Sequence, residues 1–211
     1  MKTLLVVDVQ YDFLPHGSLA VPDTDDIPDI ISRLILSKKY DLVILSQDWH
    51  PRRHGSFASA HKAKPFTMGE LNGQPQMMWP NHCVKWTHGA EIHEDILKSL
   101  GKTQVKHKIF KKGKDLNADS YSAFYDNNHK NSTGLATYLK DNKVEEIEIC
   151  GLACDFCIRA TALDAVKEGF KVKLLLPACR GVSEDTTKKA IEEMKNTGIE
   201  IVDNLEKKSD N

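Results

Sequence analysis

The chain has 211 residues, with 29 lysines and arginines against 30 aspartates and glutamates, so it presents no basic excess for a polyanionic partner and no nucleic acid is expected. No apolar run approaches the roughly 20 residues that cross a bilayer, which excludes a membrane span. With 40% apolar and 7% aromatic residues, the composition is that of one globular domain, expected over residues 1–205, ahead of a polar, flexible tail at 206–211.

In chain order, a strand is expected at 3–9. Ile27, Ile30, Ile31, Leu34 and Ile35 then form an apolar stripe at helical spacing. A second strand is expected at 41–47. Residues 51–90 have no convincing periodicity, yet they hold four prolines, His54, His61, His82 and His88, with Trp79 and Trp86 arguing for order. A connection of that length is usually functional. A helical stripe follows at Ile92, Ile96, Leu97 and Leu100, a strand at 108–111, and a third stripe at Leu135, Tyr138 and Leu139. Then come a strand at 146–152, a helix at 155–168, a strand at 171–176, and a helix at 183–195 capped by Ser183 and stopped by Gly198. A short strand at 199–202 ends the series. Strands alternating with helices predict an α/β fold: a single three-layer domain whose mostly parallel six-stranded sheet carries helices on both faces. The long ordered loop would cover the carboxyl edge of the sheet.

Ligands of an open parallel sheet bind beyond the carboxyl ends of its strands. Asp8 follows the first strand, Asp48-Trp49-His50 the second and Lys112 the third, and Gly-Leu-Ala-Cys-Asp-Phe-Cys leads from the fourth to Cys157. A thiol in the first turn of a helix feels the positive end of the macrodipole, and a nearby cation favours its thiolate. Lys112 is the best candidate for that cation, Asp8 for the proton acceptor, and the backbone around Ala153 and Cys157 for an oxyanion site. Alone, Cys157 reads as a small buried hydrophobe, Asp8 as a turn cap and Lys112 as one of several solvated lysines. Their shared edge favours the chemical reading.

Asp48 and His50 stand two apart in an extended segment and point to the same side. Carboxylate plus imidazole suits one divalent metal ion, zinc first, with iron and manganese also accepted. His82 is the best third ligand, with His54 and His61 as alternatives and Ser56 reaching through water. A rival reading takes Cys154 and Cys157 as a thiol–disulfide exchange pair, which leaves Asp8, Lys112 and the Asp48–His50 pair unexplained. A nucleotide fold is excluded, because the turn after the first strand has no glycine fingerprint. Five scattered cysteines, and an amino-terminal run interrupted by Asp8 before a secretory core forms, suggest reduced thiols in the cytoplasm.

Asp-Val-Gln-Tyr-Asp-Phe (8–13), Ser-Gln-Asp-Trp-His-Pro (46–51), His-Gly-Ser-Phe-Ala (54–58), Trp-Pro-Asn-His-Cys (79–83) and Gly-Leu-Ala-Cys-Asp-Phe-Cys-Ile-Arg-Ala-Thr-Ala-Leu-Asp-Ala (151–165) resemble the nicotinamidases, within the isochorismatase-like cysteine hydrolases. That resemblance implies hydrolysis of nicotinamide to nicotinate and ammonia in NAD salvage, with Asp8, Lys112 and Cys157 as the triad. It also implies metal ligands Asp48, His50 and His82, ring contacts at Phe13, Trp79 and Tyr121, and a cis peptide before Ala153. The fourth ligand, Ser56 or His54 or water, stays open, as does a homo-oligomer. Cys154 stands where many relatives have threonine.

Overall fold

Every residue of the runs Thr3–Val7 (β1) and Leu42–Asp48 (β2) is buried, as inner strands covered on both faces require. The computed structural model describes residues 1–205, and the tail expected at 206–211 lies outside the described residues. Between β1 and β2 lies helix α1 (Ile27–Leu36), after which β3 (Thr67–Leu71) and β4 (Gln74–Met78) pair antiparallel. Helix α2 (Glu94–Thr103), strand β5 (Lys106–Lys112), helix α3 (Leu135–Asp141) and strand β6 (Glu146–Leu152) follow. Helix α4 (Arg159–Lys167), strand β7 (Lys171–Arg180), helix α5 (Glu184–Asn196) and strand β8 (Glu200–Val202) complete the described chain.

The six-stranded sheet has the order β5-β2-β1-β6-β7-β8. All its pairings are parallel, so the expected "mostly parallel" sheet is wholly so, and the antiparallel pair stands apart. From β1 the chain winds outward to β2 and β5, then returns to β6 and winds the other way. Right-handed crossovers therefore put α1 and α2 on one face and α3, α4 and α5 on the other. Accordingly α1 packs on α2, and α4 on α5. Winding reverses between β1 and β6, and the crevice beyond their carboxyl ends is where such a sheet takes its ligand.

Several expected boundaries move for local reasons. β1 stops at Val7 because Asp8 turns into the left-handed region (φ 50°). Ile92 bridges to Gln10 instead of joining a helix, and α2 starts two residues on, with His93 accepting the Asp95 N–H. The expected helix at 155–168 is split. Its first turn, Cys154–Ile158, is wide, the Ile158 N–H reaching the Ala153 carbonyl at 3.1 Å, and regular helix begins at Arg159. Within 51–90, the hairpin of β3 and β4 corrects the expectation of a loop without regular structure.

Gly151 explains how β1 and β6 come so close. It has φ +120°, and a Cβ there would sit 2.1 Å from the Val7 carbonyl oxygen. Gly151→Ala is expected to cost about 3 kcal/mol or more, read as a lower thermal midpoint or as insoluble protein. An unchanged melting curve would refute this reading of the contact.

Candidate active site

Two polar clamps bring the strand ends together. The Gln10 side chain donates to the carbonyls of Asp48 and Ala90 (both 2.8 Å) and accepts the Asp48 N–H (2.8 Å). The Ser46 hydroxyl donates to Asp8 Oδ1 at 2.7 Å and accepts the Asp8 N–H at 3.2 Å. The second clamp aims the other carboxylate oxygen of Asp8 at the end of β5. There Lys112, opposite Asp48 in the sheet register, is 1% exposed.

The Lys112 ammonium lies 2.9 Å from Asp8 Oδ2, 2.6 Å from Asp48 Oδ1, 2.7 Å from the Ser120 carbonyl and 3.5 Å from Cys157 Sγ. Asp8, Lys112 and Cys157, from three separate elements, thus meet at the crossover of the sheet. Burial pushes the Cys157 thiol well above its ordinary pKa, and Lys112 offsets this less than burial, Asp8 and Asp48 together raise it. Burial likewise raises Asp8, against the pull of Lys112. Burial therefore favours the protonated sulfur, and Asp8, the expected proton acceptor, offers a carboxylate oxygen within 4.8 Å of it. The wide first turn places Ala153 and Cys157 on the cavity, and the peptide Leu152–Ala153 is cis.

Asp48 faces two ways. Its Oδ1 holds Lys112, while Oδ2 lies 3.4 Å from His50 Nε2 and 3.9 Å from His82 Nε2. Nδ1 of His50 donates to the Gly113 carbonyl and Nδ1 of His82 to that of Pro80, both at 2.8 Å. Each ring thereby turns its Nε2 toward Asp48, and the His50 Nε2 is buried without a hydrogen-bond partner. Burial lowers His82 to about 4, which leaves its lone pair free at neutral pH. One carboxylate oxygen and two imidazole nitrogens, all buried and converging, fit a divalent cation. Each of the other expected histidines has one ring nitrogen engaged away from Asp48, and the Nε2 of His54 is buried without a hydrogen-bond partner. His61 Nε2 pairs with the Gly55 carbonyl (2.7 Å), and His54 Nδ1 pairs with the Ser56 hydroxyl (2.7 Å) and accepts its N–H (3.3 Å).

The family model of the isochorismatase domain matches residues 2–205. This chain belongs to the isochorismatase family. Escherichia coli nicotinamidase is 44% identical over 86% of this chain and 84% of its own. The crystal structure of a yeast nicotinamidase bound to the inhibitor nicotinaldehyde superposes with a TM-score of 0.90 at 35% identity, covering 97% of this chain and all of the other. A Pyrococcus horikoshii pyrazinamidase in complex with zinc gives 0.75 at 36% identity, over 95% of this chain and 98% of that one.

In this isochorismatase-family chain a cavity opens beside Cys157 and reaches Asp48 and His82. Phe13, Trp79 and Tyr121 line it as expected, and so do Phe156 and Asp119, which the sequence reading missed. Phe156 meets Trp79 edge-on, with ring centroids 5.1 Å apart, and Tyr121 at 5.7 Å, making an aromatic box. Its signal in the sequence was its place beside Cys157 in the nucleophile turn. Asp119 had no such signal.

Proposed function

We propose that this protein, over residues 1–205, hydrolyses nicotinamide to nicotinate and ammonia through a thioester on Cys157. The observation that carries the chemistry is the Lys112 ammonium within 2.9 Å of Asp8 and 3.5 Å of Cys157, beside an aromatic cavity. Asp8 takes the thiol proton as the sulfur attacks the amide carbonyl, and the N–H groups of Ala153 and Cys157 receive the oxyanion. The C–N bond breaks, Asp8 returns the proton to the departing ammonia, and the acyl group stays on sulfur. Asp8 then activates a water molecule against the thioester, releasing nicotinate and restoring the thiol. Phe13, Trp79, Tyr121 and Phe156 clasp the ring and hold the carbonyl over the sulfur. Asp48, His50 and His82 would hold a divalent cation, zinc first, whose Lewis acidity serves the pyridine nitrogen. The reaction would belong to NAD salvage in the cytoplasm.

The disulfide-exchange reading fares worse. All five cysteines are free and buried, and burial with the neighbouring Asp155 pushes the Cys154 thiol up to about 12, which makes it a poor exchange partner for Cys157. The deciding assay is ammonia release from nicotinamide with and without a chelator. Steady release is expected, falling at least about tenfold when the cation is stripped and returning with zinc. No release from the zinc-loaded protein would overturn the proposal.

A further inference from the structure

Asp119 lies in the loop after β5, outside every motif discussed above. It is 4% exposed and lines the same cavity as Asp48, His82 and Cys157. Its Oδ1 accepts the Ser120 N–H at 2.8 Å, and its Oδ2 accepts from the Gln76 side chain of β4 at 3.1 Å. Gln76 is itself buried, so the carboxylate is held from two sides. One ligand-type atom each of Asp119, His50 and His54 lie within 4.8 Å of one another, forming a second donor trio that shares His50 with the first. The Nε2 atoms of both histidines are buried without a hydrogen-bond partner.

The two trios cannot hold two cations. His50 commits Nδ1 to the Gly113 carbonyl, which leaves one lone pair for one ion. His54 accepts the Ser56 N–H at Nδ1, so its proton sits on Nε2 and it is a donor, not a ligand. Asp119 and His54 are therefore the far wall of the same pocket. Charge points the same way. With Lys112 positive and Asp48 negative, a divalent cation leaves one positive charge uncompensated in a buried site even when Asp8 is fully ionised. Asp119, held by Gln76 beside His50 and His54, supplies the missing negative charge.

We propose that Asp119 is the outer carboxylate of the cation pocket, oriented by Gln76 and accepting hydrogen bonds from cation-bound water on the His54 side. This rests on the cation site of the proposed function. Asp119 is a positioning residue, and the small hairpin exists in part to aim it.

Zinc affinity of the purified protein, measured by competition with a chromogenic chelator, tests it. D119N keeps the shape of the side chain and is expected to bind zinc about 10–100-fold more weakly, with turnover restored by excess zinc. Q76L, which leaves the charge in place but frees it, should lose affinity in the same direction by a smaller factor, and it carries the test if D119N does not fold. H82A serves as the control for the site itself. If H82A releases zinc while D119N and Q76L hold it as tightly as the parent, the role of Asp119 is overturned and the cation site stands. A loss of turnover in D119N that excess zinc fails to restore also overturns it, as that marks a structural part only. If H82A holds zinc unchanged, the underlying site is refuted.

Discussion

Cys157→Ala is expected to lower ammonia release from nicotinamide by at least roughly a thousandfold, because no other group at the cavity can carry the acyl intermediate. Zinc content should not change, since the donor trio of Asp48, His50 and His82 does not include the sulfur. Stability should change little as well, as the substitution removes one atom beside a cavity and leaves the Lys112 contacts to Asp8, Asp48 and Ser120 in place. Cys154→Ser separates hydrolysis from exchange chemistry. Cys154 is fully buried in the wall of the nucleophile turn, so its replacement should leave most of the turnover, whereas an exchange reaction needs both sulfurs. Undiminished ammonia release by the Cys157→Ala protein would remove Cys157 from its role, and complete loss with Cys154→Ser in a folded protein would mean that the reaction needs both sulfurs.

The strand ends were legible because a parallel sheet writes itself as apolar runs, and the residue after each run must face the ligand edge. Parity also distinguishes Lys112 from Lys111. Alternate residues of β5 point to opposite faces, so Lys112 is buried at the site while Lys111 lies 3.5 Å over the Trp49 ring. The β3–β4 hairpin escaped notice because its strands are mostly exposed and polar and show no hydrophobic alternation. Its turn was nevertheless written in the chain. Asn72 and Gly73 both adopt positive φ, 50° and 78°, the conformation that a two-residue Asn-Gly hairpin turn favours. Asp119 was beyond reach for a different reason. Its Gln76 partner is 43 residues distant and its histidine neighbours, His50 and His54, come from the segment after β2, so only the assembled fold reveals a buried carboxylate there. The wide turn at Cys154–Ile158 was likewise hidden, since helical periodicity alone cannot tell a five-residue spacing from a four-residue one over a single turn.

Lys112→Met is expected to damage stability and catalysis together, and by more than any other single change at the site. The ammonium has three hydrogens and four neighbours. Its hydrogen bonds go to Asp48, the Ser120 carbonyl and the Cys157 sulfur, leaving Asp8 Oδ2 at 2.9 Å to be held by charge alone. Burial opposes a charged lysine here, yet Asp48, Asp8 and Cys157 override it and raise its pKa well above the ordinary lysine value, so the ammonium persists. Its removal leaves two buried carboxylates facing each other without their shared cation. Breaking a buried pair in this way costs about 3–5 kcal/mol, which lowers the melting temperature of a chain of this size by on the order of 10 °C. Asp8 would then hold its proton more tightly, having lost the cation that opposes its burial, and could no longer take one from the thiol. Turnover should therefore fall at least about a hundredfold even in the fraction that stays folded, which ammonia release at low temperature would measure. Calorimetry supplies the other half of the test. A Lys112→Met protein that melts with the parent and still turns over would mean that this ammonium neither holds the two carboxylates together nor supports the nucleophile.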